Sequence, residues 1–200
     1  MPDSDRVKLL LNSLQHTTSR GMDWLLELAK QHHGNLTVND VHLLAKESWQ
    51  IGSVGICPEL IVNFISQYVS KRQIQSILDP WAGLGTLLLP LVNKTGATTN
   101  VGISPDKNAT EFCKLLDHEH KVTWLCGEPL EELNNTTMSF DLVISCPPFG
   151  INPTKVSLLS DTGPVEVQDN PGHLIVLKSC LRLADKGLGH FVVSTGFVGN

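Results

Sequence analysis

From Gly52 onward, short apolar runs alternate with segments of helical period, and this alternation constrains the chain more than any other feature. Ile77-Leu78 closes one run, and Val101 to Ile103, Val122 to Leu125, Leu142 to Ile144 and Phe191 to Val193 form the others. Between them Thr86 to Val92, Ala109 to His118 and Leu174 to Leu183 carry helical spacing, with Pro90 expected to kink or shorten the first. Strands separated by helices pair in parallel and need cover on both faces, which predicts a doubly wound α/β sheet. Pro58 is placed to open a further helix, with Leu60, Ile61, Phe64 and Tyr68 as its expected buried stripe. Residues 151–172 break the pattern: three prolines, two glycines and no clear period predict an irregular, functional loop.

The first fifty residues read differently. Val7, Leu10, Leu11 and Leu14 share a helical face, as do Trp24, Leu25 and Leu28, and Gly34 ends the second helix. Thr37 and Asp40 stand at capping-box spacing before Val41 and Leu44. The reading is a helical extension over 1–50 and a main domain over 51–200. At 200 residues, 41% hydrophobic and 18% charged, the chain can bury one real core.

Charge narrows the function. With a net charge of −5 and Lys71-Arg72 as the single adjacent basic pair, overall basicity cannot hold nucleic acid, so any such contact needs a local groove or another polypeptide. No apolar run approaches the ~20 residues of a membrane span, and the opening residues lack the apolar stretch of a signal peptide. Five scattered cysteines without a Cys-x-x-Cys pair argue against a disulfide scaffold or zinc site and for the reducing cytoplasm. Cys113, Cys126 and Cys180 are expected as buried or half-buried packers. His118-Glu119-His120 has side chains that diverge on a helix, so no metal site is expected.

Two motifs carry chemistry. The first strand runs into Asp79-Pro80-Trp81-Ala82-Gly83-Leu84-Gly85-Thr86: an acid at a strand end, then Gly-x-Gly at the turn into a helix. Such glycines let backbone N–H groups approach a ligand, and the helix N-terminus favours an anionic group. Average residue usage gives this pattern by chance in roughly one chain in several hundred of this length. The dinucleotide fingerprint is not met, because Leu88 stands where its third glycine belongs. The alternative is that the glycines only shape a tight turn. The second motif follows the fourth strand as Ser145-Cys146-Pro147-Pro148-Phe149-Gly150. Its prolines fix the backbone and free a carbonyl, and Phe149 offers a stacking face.

Together these motifs resemble those of the S-adenosylmethionine-dependent amino-methyltransferases. The likeness is greatest to adenine-specific DNA methylases of restriction–modification systems and to the modification subunits of type I systems. In that family D-P-x-x-G-x-G precedes N/D/S-P-P-Y/F, and a G-x-x-x-T-P segment leads, matched loosely by Gly52 to Pro58. Gly187 to Phe197 resembles the closing strand. The resemblance implies a Rossmann-like class I methyltransferase sheet, C-terminally incomplete, whose target-recognition domain or specificity subunit lies elsewhere. It implies S-adenosylmethionine as cofactor, DNA as partner, and neither membrane nor metal. Carried over by position, Asp79, Pro80, Ala82, Gly83 and Gly85 would hold the cofactor, with Ser104 and Glu128 at its ribose and base. Cys146, Pro147, Pro148 and Phe149 would receive the target base.

Four departures stand out. Ser104 replaces the acid after the second strand, with Asp106 two residues on; Glu128 replaces Asp; Cys146 replaces Asn; Cys57 replaces Thr in the leading segment. Sulfur accepts hydrogen bonds weakly, so Cys146 is expected to cost ~2–4 kcal/mol of transition-state stabilisation. The alternatives are a methyltransferase-like binding or scaffold module without turnover, methylation of RNA or protein glutamine, and, more distantly, a dinucleotide oxidoreductase.

Overall fold

The computed structural model describes residues 3–12, 21–32, 34–47, 55–147, 153–160 and 163–193. Three helices lead: α1 (Asp3–Asn12), α2 (Met22–Gln31) and α3 (Val38–Glu47). The expected capping box forms, with the Asp40 amide donating to Thr37 Oγ1 (3.2 Å) and the Thr37 amide to Asp40 Oδ2 (2.8 Å). Arg6 of α1 donates to both oxygens of the buried Asp40 carboxylate, tying α1 to α3. Burial pushes that carboxyl up, but Arg6 and Thr37 more than offset it and hold it below the ordinary aspartate range.

Then follow α4 (Glu59–Val69), β1 (Ser76–Asp79), α5 (Leu88–Thr95), β2 (Thr99–Ser104), α6 (Lys107–Leu116), β3 (Thr123–Cys126), α7 (Pro129–Asn135) and β4 (Phe140–Ser145). After them come β5 (Thr154–Ser160), β6 (Gly163–Asp169), α8 (Pro171–Cys180) and β7 (Leu183–Phe191). The main sheet has order β3-β2-β1-β4-β7, and every neighbouring pair is parallel. The chain builds outward from β1 to β3, then returns to lay β4 on the other side of β1. Order therefore reverses between β1 and β4, where open α/β sheets bind their ligands.

Both faces of β1 are covered, which is why its sequence is apolar without alternation. Ile77 faces a core shared with Leu25 and Leu28 of α2, Val62 of α4, Leu88 of α5 and Phe112 of α6. Leu78 faces a smaller core with Ile103, Leu133 of α7, Val143 and Ile175 of α8. The N-terminal helices thus bury their apolar faces in the same cluster as the sheet.

Some expectations need correction. On α4, Leu60, Phe64 and Tyr68 are exposed at 80%, 56% and 55%, while Val62, Ile65 and Val69 are buried. The helix carries two apolar stripes, and the sheet takes the β-branched one. α5 starts at Leu88, so Pro90 falls in its first turn, where the missing N–H removes no intrahelical bond. The fifth strand of the sheet ends near Phe191 rather than starting there. β5 and β6 pair antiparallel, with Val156 opposite Val167 and Leu158 opposite Val165, where an irregular loop was expected. α7, an element beyond those expected, has Pro129 in its opening turn and Glu131 and Glu132 at its positive end.

Trp124 of β3 lies across β2. A Cβ at Gly102 would sit 2.5 Å from its ring, and one at Gly85 3.0 Å from it. Its Nε1 donates to Asp117 Oδ2 (3.2 Å), which fixes the ring. Gly102→Ala should therefore cost ~1–3 kcal/mol by overpacking, read as a lower urea midpoint with unchanged slope. A variant as stable as the parent would show that the ring is free to move aside.

Candidate active site

The site is built from the carboxyl ends of four strands. β1 delivers Asp79, which is 1% exposed and accepts a hydrogen bond at Oδ1 from the Trp81 amide (3.1 Å). Pro80 and Ala82 are buried beside it, and the Ala82 amide hooks the loop to the Ile103 carbonyl (2.8 Å). Burial raises the Asp79 carboxyl to about 8, against the pull of the Trp81 amide and with the help of a negative charge on Cys146.

Gly83 (φ 53°) and Gly85 (φ 70°) both adopt the left-handed backbone. A Cβ on Gly83 would fall 2.2 Å from the Gly55 carbonyl oxygen. The leading segment is thus laid directly on the glycine loop. It is held there by the Cys57 amide donating to Thr86 Oγ1 (3.0 Å) and by a hydrogen bond between His42 Nε2 and the Cys57 carbonyl (3.1 Å). Both glycines have packing reasons inside the chain, Gly55 for one and Trp124 for the other, so their presence alone does not indicate a ligand. The buried acid carries that argument.

β4 delivers Cys146, half-buried, and Pro147, buried. Cys146 packs against the same core as Ile77 and Ile144, a core to which Cys57 also belongs. Interaction with Cys146 raises the Cys57 thiol, which burial raises further, and the same interaction lowers Cys146 despite its own burial. Cys57 was legible only as a departure from a family pattern; its place in the core beside which Cys146 packs needs the folded chain. Pro148 and Phe149 lie outside the described residues, as does Gly52 to Val54 of the leading segment.

β2 and β3 extend the row. Ser104 is buried, and its Oγ accepts from the Asp106 amide (3.3 Å). Asp106 caps α6, with Oδ1 accepting from the Asn108 and Ala109 amides (2.7 and 3.0 Å). One oxygen of the acid that could substitute for the missing ribose ligand is therefore committed to a helix end. Glu128, exposed, opens α7 beyond β3 without capping it. Cys113 is buried, whereas Cys126 and Cys180 are exposed, against expectation. A cavity of about 360 Å³ lined by residues including Thr37, Pro90 and His118 opens at the opposite edge and contains none of the expected site residues.

This architecture is the class I methyltransferase fold. The type I restriction-modification system methyltransferase subunit from Streptococcus thermophilus is similar, at 17% identity and TM-score 0.61, over 78% of this chain and 38% of that one. A candidate class I S-adenosylmethionine-dependent methyltransferase from Listeria monocytogenes is similar at 16% identity and TM-score 0.60, over 90% of this chain and 56% of that one. A methyltransferase from Geobacter sulfurreducens matches at 15% identity and TM-score 0.53, over 94% of this chain and 77% of that one. The chain spans about half or less of the first two. No protein-family model matches the chain, and no curated protein matches its sequence. At these identities the likeness establishes the fold. Among the described residues, no helix is long and apolar enough to cross a membrane.

A buried acid with a raised pKa has a definite pH signature. Asp79 shifts from 3.8 unfolded to about 8 folded, so its stabilising effect is fully present below 3.8 and is lost as pH rises through about 8. Relative to Asp79→Asn, the chain should lose up to ~1.4 kcal/mol per pH unit between these limits, measured by urea unfolding. Parallel pH profiles for the two proteins would contradict the assignment.

Proposed function

We propose that this chain is a methyltransferase domain that uses S-adenosylmethionine to methylate the exocyclic amine of adenine in DNA, in a cytoplasmic restriction–modification system. The observation that carries the reading is the buried Asp79 carboxyl beside a glycine loop at the switch point, on the same face as Cys146. A sealed acid held above its ordinary range calls for a cationic ligand, and S-adenosylmethionine carries an ammonium and a sulfonium. Bound there, the cofactor would supply an electrophilic methyl group on positively charged sulfur. The chain's likeness to the family motifs and to a type I methyltransferase subunit supports adenine in DNA as the acceptor.

In this reading Asp79 holds the cofactor's ammonium, and the backbone of Pro80, Ala82, Gly83 and Gly85 shapes the cradle. Ser104 and Glu128 face its nucleoside part. Cys146 and Pro147, with Pro148 and Phe149, receive a flipped base and orient its amine. Cys57 lowers the Cys146 thiol, which favours the thiolate there, a better acceptor than a thiol. The acidic chain needs a specificity subunit or a further domain to read sequence.

A second reading is favoured by one observation: an Asp106 oxygen commits to capping α6. It is a binding module that keeps the cofactor site and has lost turnover.

Calorimetry and tritium transfer to adenine-rich DNA separate the two. Asp79→Ala should weaken S-adenosylmethionine binding on the order of a hundredfold. Cys57→Thr with Cys146→Asn, which restores both family residues, should raise methyl transfer roughly ten- to a thousandfold. Binding without transfer by either protein supports the binding module. Absence of binding by the parent chain overturns both readings.

A further inference from the structure

Leu133 of α7 and Ile175 of α8 share the smaller core, and two cations from α8 and the turn after it reach across to α7. Lys178 is 5% exposed, and its Nζ donates to the Leu130 carbonyl (3.1 Å) and to Asn134 Oδ1 (2.6 Å). Arg182 Nε donates to the Leu133 carbonyl (3.0 Å). All three acceptors are neutral, and among the described residues neither cation has an ion-pair partner. A buried ammonium is ordinarily paired, because neutral acceptors offset only part of its desolvation. Here burial and the like charge of Arg182 both lower the Lys178 ammonium. It also keeps a third N–H donor beyond the two in use.

Lys178 lines a cavity of about 360 Å³ between α7, α8 and β5, a size that suits a small ligand. Leu130 and Val156, both half-buried, give it apolar walls. Its other charges are Lys155, Glu128 and Glu131, all exposed. The deep charge is therefore positive, while acids predominate at the rim. We propose that this cavity binds a small organic monocarboxylate, whose carboxylate pairs with Lys178 and whose apolar chain lies on Leu130 and Val156. The carboxylate supplies both the third acceptor and the counter-charge that the fold omits. The acidic rim selects against polyanions, nucleic acid among them, because each added negative charge would meet Glu128 and Glu131. Glu128 alone is shared with the candidate active site, so the cavity flanks that site rather than filling it.

The experiment titrates butyrate into the isotope-labelled 200-residue chain and follows side-chain NMR signals, a readout that does not depend on methyl transfer. The expected result is saturable shifts of the Leu130 and Val156 methyls, with the Lys178 pKa rising when butyrate is bound. Butylamine, which lacks the carboxylate, should produce neither. Lys178→Met should weaken butyrate roughly tenfold or more, as expected for losing a hydrogen bond to a charged group. If that variant does not fold, Val156→Trp fills the cavity from β5, keeps Lys178, and should abolish the Lys178 response. Shifts that do not saturate, a Lys178 signal that butyrate leaves unmoved, or a response that survives these substitutions would overturn the proposal. Inorganic phosphate or a dinucleotide binding more tightly than butyrate would overturn the ligand class. Displacement of butyrate by S-adenosylmethionine would assign the cavity to the cofactor and overturn it as a separate site.

Discussion

A carboxyl group sealed at the carboxyl end of the central strand sets the terms for everything around it. Asp79 is 1% exposed at the start of the Pro80–Gly85 loop, and burial raises it to about 8. An isolated buried charge is costly, so the site either keeps this acid protonated or meets it with a cation. The sheet makes that possible. β1 is paired on both sides and covered on both faces, so its end is a fixed point on which a strained acid can be mounted.

The surrounding glycines serve the same enclosure. Gly83 admits the Gly55 carbonyl, which brings the leading segment over the loop, where the Cys57 amide reaches Thr86. Gly85 and Gly102 admit the Trp124 ring, which crosses β2 and closes the core beneath the loop. Only residues without a Cβ allow these approaches. The enclosure is therefore a consequence of close backbone packing.

The strands were legible because both faces of the sheet are buried, which leaves short apolar runs at β1, β2 and β4 between polar turns. Asp79 was legible because its position at a strand end, before Gly-x-Gly, is a local pattern. The exposed face of α4 was not, since Leu60/Phe64/Tyr68 and Val62/Ile65/Val69 have equal claim to a helical stripe and packing alone decides. The β5–β6 pair hid its period of two, Val156-Ser157-Leu158 against Val165-Glu166-Val167, behind Gly163 and Pro164. Ser104 and Asp106 are local to each other, and a cap before Asn108 and Ala109 could have been read from the sequence. That Cys57 and Cys146 pack in one core could not, because nothing local joins a leading segment to the end of β4.

The central claim is that Asp79 is an acid held above its ordinary range until a cationic ligand meets it. The direct measurement is a pH titration of the Asp79 carboxyl carbon by NMR, with and without S-adenosylmethionine. The account predicts a midpoint near 8 in the free chain, moving down by more than a unit when the cofactor is bound. A midpoint near 3.8 in the free chain, or one that the bound cofactor leaves unchanged, would contradict it.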